Sequence, residues 1–363
     1  MKRSLGALAT VSAFSLVAAA DAGAFHYYSK CGSKATVADK ELHMGAGKNS
    51  FPSGHARRDA LVAAQTLWNH VPSHFIFSSP SWNEEVSMRN HDDEIWFTDD
   101  PDLTNGKPGM AHLWFTCYIN EIDINYLNTE PWSYTDVAQG KTTYGGSNRP
   151  FITGALHELG HAFGLAHVND EYNIMGSDST HVSYNDDRIR YYAGEDGADG
   201  QIYLYGSSSP NLPQDVGVTH WKYGSASGEY SKHVLTTITS DTLPSVPSGS
   251  FAGMRRYNVF ENFDYQVEFT YENNGRDFQN DVDIGFYIST NPLITTKDTL
   301  IKTTTFNLGR DNPSTLKKTV HLPELTMGQT YWLGVIVDRT QEIAEVNESN
   351  NATSIPIYVT CCD

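Results

Sequence analysis

Between residues 54 and 71 the apolar side chains Ala60, Leu61, Ala64, Leu67, Trp68 and Val71 recur at helical spacing. They define one buried face of an α-helix, with Ser53 as its start signal. Ahead of it, residues 35–44 read as a first strand. The apolar runs "HFIF", "DDEIWFT" and "CYINEIDINYL" come after it. In the last, Ile122, Ile124 and Tyr126 alternate with Asp123 and Asn125, the period of a half-buried strand. A second helix then carries "HELGHAFGLAH", residues 157–167. The first half of the chain is therefore expected to be an α+β domain.

Beyond the turn-rich stretch "GSSSPNLP" the pattern changes to short runs of period two. "YQVEFTY" puts Tyr265, Val267, Phe269 and Tyr271 on one face, and "VDIGFYI" does the same with Val282, Ile284, Phe286 and Ile288. "YWLGVIV" repeats the pattern, and "SIPIYV" closes it with Pro356, which predicts an edge strand. Such runs, separated by Asn, Gly and Pro turns, predict an all-β immunoglobulin-like sandwich. The expected division is a leader over 1–24, an α+β domain over 25–206, a linker over 207–215 and the sandwich over 216–363.

The leader reads as a secretory signal peptide: Lys2 and Arg3, an apolar run from Leu5 to Ala20, and small residues at Ala20, Ala22 and Ala24. Export is thus expected, with the mature chain starting near Phe25. No other stretch approaches the ~20 apolar residues that span a bilayer. The formal charge of −18, from 43 acidic and 25 basic residues, argues against nucleic acid and anionic lipid as partners. Asp99, Asp100 and Asp102, and Asp196 with Asp199, are candidate calcium ligands, although their spacing matches no EF-hand loop. Four cysteines, Cys31, Cys117, Cys361 and Cys362, are too few for a disulfide scaffold. A Cys31–Cys117 bond is favoured, because adjacent cysteines bond only under strain.

The eleven residues 157–167 carry the candidate chemistry. On a helix His157 and His161 project from one face, so both rings can reach one metal ion. Glu158, one step round, is placed to act on water at that metal without being a ligand. Gly164 lets the helix stop and the chain turn back, and His167 then supplies a third nitrogen. Three protein ligands with one position open describe a catalytic zinc site, not a structural one. The expected reaction is hydrolysis of a peptide bond, with Glu158 as general base and then acid.

His157, Glu158, His161, Gly164 and His167 match the metzincin signature H-E-x-x-H-x-x-G-x-x-H without a departure. "YNIMGS" places Met175 where that clan has its Met-turn beneath the zinc, and "DGQIYLYG" resembles the last catalytic-domain helix of the matrixin branch. The resemblance covers about 25–206. It implies a twisted sheet with long helices, one catalytic zinc ion, a protein or peptide substrate and secretion. It also implies that the strand around residues 122–127 is the edge on which an extended substrate lies; the alternative is a strand simply paired within the sheet. About 130 residues between Phe25 and His157 leave no room for a large propeptide. Cys31, in "KCGS", shares Cys-Gly with the matrixin cysteine switch, which would cap the zinc, but lacks its flanking residues; a disulfide with Cys117 is the alternative. Ser177 stands where related enzymes carry a tyrosine ligand and many matrixins a proline, so no tyrosine ligand is expected.

"YENNG", "FYISTNPLI", "LPELTMGQTYWLGVIVD" and "EVNESNNATSIPIYV" resemble the CARDB (cell-adhesion-related) domain. That resemblance implies attachment to a cell-surface or extracellular ligand. The reading is a secreted zinc endopeptidase. Its rival is a surface adhesion protein with a vestigial metal site.

Overall fold

The computed structural model describes residues 25–134, 150–168, 174–176, 182–185, 188–208, 214–219, 236–251, 254–275, 277–309 and 314–361. The leader over 1–24, Ser177, Cys362 and most of the expected linker lie outside them.

Helix α1 covers Ala56–His70 and helix α2 covers Phe151–Ala162. Helix α1 starts later than Ser53 predicts: the His55 ring accepts the Arg57 N–H at 3.1 Å and caps it. The two helices share a core. Trp68 is fully buried, stacks edge-on to Phe163 at 4.7 Å and donates its ring N–H to the Leu156 carbonyl at 2.9 Å. A large ring whose polar atom is satisfied adds burial without leaving an orphan donor.

The helices lie with a five-stranded sheet in the order Ser81–Asn83, Gly45–Gly47, Glu94–Thr98, Ile119–Leu127, Gly109–Phe115. Four strands run parallel, and Gly109–Phe115 joins antiparallel at one edge. Ile95, Phe97, Ile124, Tyr126 and Phe151 are buried in the same core cluster. The first strand expected over 35–44 is instead broken into Ser33–Lys34, Glu41–Leu42 and Gly45–Gly47. Lys40, at φ 57°, turns the chain between two of them.

One strand of this sheet sits more deeply than the sequence predicts. The strand over 119–127 is not the sheet's edge, because it pairs on both sides. Its polar face is buried as well, with Asp123 and Asn125 at 0 % exposure. The carboxylates there hold the backbone of a covering loop. Arg89 N–H donates to Asp123, His91 N–H to Glu121 and Ser87 N–H to Glu94, all within 3.0 Å. Burial pushes Asp123 up to about 7.

In the second half, Asp264–Asn273 pairs with Val216–Thr219, Thr237–Thr239 and Ser314–His321. A six-stranded sheet faces it, in the order Ser248–Phe251, Met254–Val259, Ala352–Val359, Thr330–Val337, Gln279–Ser289, Thr299–Leu308. Val267, Phe269, Ile284, Phe286, Val335 and Ile357 fill the space between the two layers. Pro356 is on an interior strand, contrary to the edge position it predicts. The parallel partner of its strand begins one residue later, at Ile357, so the missing N–H falls where that ladder has not started.

The halves touch. Tyr192 donates its hydroxyl to Glu272 at 3.0 Å, and the Asn185 amide exchanges two hydrogen bonds with the Ile294 backbone. No helix among the described residues is long and apolar enough to cross a membrane.

Candidate metal centre

Helix α2 is almost wholly buried, and His157, Glu158 and His161 are each at most 6 % exposed. After Phe163 the chain reverses at Gly164, whose φ is +114°. A Cβ there would lie 2.6 Å from the Ala35 carbonyl oxygen, so both the dihedral and the space call for glycine. Leu165–Ala166 then pairs antiparallel with His26–Tyr27. That short ladder brings His167 back over the helix.

The three rings meet through their Nε2 atoms. His157 Nε2 is 3.0 Å from His167 Nε2 and 3.1 Å from His161 Nε2. Two of the opposite nitrogens are anchored: His157 Nδ1 lies 2.7 Å from the Ile174 carbonyl and His161 Nδ1 lies 2.7 Å from the Leu165 carbonyl. A carbonyl only accepts, so each Nδ1 carries the proton and each Nε2 presents a lone pair. Burial pushes His161 down to about 3, and burial followed by the Lys107 charge lowers His167. Neutral imidazoles with converging lone pairs repel one another unless a cation stands between them. Three nitrogen donors suit Zn²⁺. Among the described residues this is the only group of three or more His, Cys, Asp or Glu side chains gathered closely enough to hold an ion.

Glu158 lies against the sheet edge. A Cβ on Gly109 would come within 3.0 Å of its Oε1, so strand Gly109–Phe115 passes in contact with the carboxylate. Tyr28 and Tyr126 flank it: burial first, and then the Glu158 charge, raise both phenols. The antiparallel edge strand beside the site is thus Gly109–Phe115, one strand out from the residues the sequence marked. Gly109 is the signal that was missed.

Met175 is 2 % exposed and packs under α2. Its Sδ would be 2.4 Å from a Cβ on Gly160, and its carbonyl accepts the Val168 N–H at 3.1 Å. Gly160→Ala should force that sulfur aside and cost about 1–3 kcal/mol in chemical denaturation, as overpacking does. An unchanged unfolding midpoint would show that the segment under the helix gives way freely.

The remaining candidates fall outside this cluster. Cys31 and Cys117 are joined in a disulfide, so the Cys31 thiol does not cap the metal centre. Asp99, Asp100 and Asp102 occupy an exposed turn in which Asp100 accepts the Asp102 N–H at 3.0 Å. Asp196 and Asp199 belong to helix α3, Gly194–Tyr205. None of these five joins a multi-ligand group.

Comparison with known proteins concerns the second half. Residues 253–355 match the CARDB family model. Among solved structures, this chain is similar to the CARDB domain of a Pyrococcus furiosus protein, in solution, at 24% identity with a TM-score of 0.23. That match covers 28% of this chain and 85% of the other. A crystal structure of that Pyrococcus domain in complex with di-metal ions gives 20% identity, a TM-score of 0.24, and coverage of 34% and 89%. A domain from a Methanosarcina acetivorans protein, described in terms of the cell surface, gives 22% identity, a TM-score of 0.21, and coverage of 26% and 75%. No curated protein matches the chain.

Proposed function

We propose that the chain is a secreted zinc-dependent endopeptidase whose CARDB segment attaches it to a surface or extracellular ligand. The observation that carries this reading is the convergence of three imidazole Nε2 atoms, two of them held with a free lone pair by carbonyl anchors, beside a buried Glu158. His157, His161 and His167 would hold the ion. A bound zinc ion supplies Lewis acidity, polarising a carbonyl and making water acidic near neutral pH. Glu158 takes the proton of the attacking water at its carboxylate and passes it to the departing amine, so the peptide bond opens without a covalent enzyme intermediate. The outer side of Gly109–Phe115 is unpaired among the described residues and can align an extended peptide through its backbone groups.

The CARDB match favours a second reading, in which the sandwich does the work and the histidines are a relic. Metal removal separates the two. Purified mature protein should contain one equivalent of zinc and hydrolyse casein, lose activity on dialysis against a chelator, and regain it with zinc. Metal-free protein that never cleaves casein would favour the relic.

A further inference from the structure

We infer that the second domain is part of the scaffold of the metal centre: the sandwich grips Asn185 and Tyr192, and through them seats helix α3 against the two segments whose carbonyls orient His157 and His161. The inference rests on the three-histidine metal centre proposed above. It adds Tyr192 as a positioning residue, outside the chemistry.

Both grips lie just ahead of α3. Val182–Asn185 and Arg188–Tyr191 form an antiparallel hairpin, and Tyr192 follows it at once. The Asn185 side chain accepts the Ile294 N–H at 2.7 Å and donates to the Ile294 carbonyl at 3.0 Å. Tyr192, 3 % exposed, reaches across the domain junction to Glu272, which is fully buried on strand Asp264–Asn273. Helix α3 has no side-chain cap at its start, so its entry is fixed by the residues just before it and by its packing.

From there α3 runs against the residues behind the site. A Cβ on Gly197 would come 3.4 Å from Ile174 Cγ2 and 3.0 Å from the Trp68 ring, and one on Gly200 would lie 2.6 Å from Leu165 Cδ2. At its end Tyr205 donates its hydroxyl to the Phe163 carbonyl at 2.7 Å. Ile174 and Leu165 are the residues whose carbonyls hold His157 Nδ1 and His161 Nδ1, each at 2.7 Å. A close-packed interior has little free volume, so a shift of one wall is passed to the next. Outer partners of metal-binding imidazoles fix the ring orientation, and with it the metal affinity. A loosely seated α3 therefore leaves both carbonyls loosely placed.

The test compares the full mature chain with Tyr192→Phe and Asn185→Ala, following zinc affinity by competition titration and hydrogen exchange at the 165–166 amides of the metal-free protein. Both variants should exchange faster at those amides and bind zinc roughly threefold to tenfold more weakly, as loss of one or two buried hydrogen bonds predicts. Val320→Ala, which opens a cavity in the sandwich core, should lower the melting temperature and leave zinc affinity unchanged. Native-like exchange in both variants, or faster exchange with native zinc affinity, overturns the inference, and so does an equal affinity loss in Val320→Ala. Asn185→Ala decides the matter should Tyr192→Phe fail to fold. A native chain that takes up no zinc sinks the peptidase reading instead, and the exchange comparison then decides this one alone.

Discussion

Glu158→Ala should abolish casein hydrolysis while leaving the zinc in place. The three histidines would hold the ion through Nε2 atoms that do not involve this carboxylate, so metal affinity should be close to native. What disappears is proton transfer in both directions, worth roughly 10²–10⁴-fold in rate for a positioned acid or base. Tyr28 and Tyr126 cannot replace it, because burial holds both phenols above their ordinary range and they keep their protons. Parallel assays of zinc content and cleavage rate check the result. A variant that binds zinc and still cuts at the native rate would remove Glu158 from the chemistry; a native chain that binds zinc and never cuts would remove the peptidase reading.

Replacing both Cys31 and Cys117 by serine should give a large loss of stability. Their bond closes a loop with a sequence separation of 86, enclosing α1 and most of the sheet. Cross-linking over that length restricts the unfolded chain by about 4–5 kcal/mol at room temperature. Urea unfolding of the oxidised native protein and the double variant measures the difference. The measurement also bears on the zinc site: were Cys31 a cap on the metal, the variant would be more active and scarcely less stable.

Some of this was readable in advance because it is set by local spacing. His157 and His161 are one helical turn apart whatever surrounds them, and a glycine three residues on is a reliable place for a helix to stop. Gly164 does so, and His167 follows it. The alternating runs of the sandwich are equally local, since period two fixes which side chains face inward. What could not be read depends on residues distant in sequence. Asp123 looks solvent-facing by alternation, but the loop over 84–93 closes on it and the carboxylate serves that loop's N–H groups. Pro356 suggests an edge, but its strand gains a partner one residue further on. The sheet's true edge lies in "GMAHLWF", which carries no sharp alternation and whose seven residues are all only partly buried.

The carbonyl anchors on the imidazoles constrain how a metal ion can come and go. Ile174 and Leu165 pin two ring orientations from segments that lie outside helix α2. A ring fixed in this way cannot swing outward alone, so a bound ion would be surrendered only when those flanking segments open as a unit. Exchange of a bound metal should therefore follow the slow breathing of the surrounding backbone, and inactivation by a chelator should proceed at a rate set by the protein itself once the chelator is in excess.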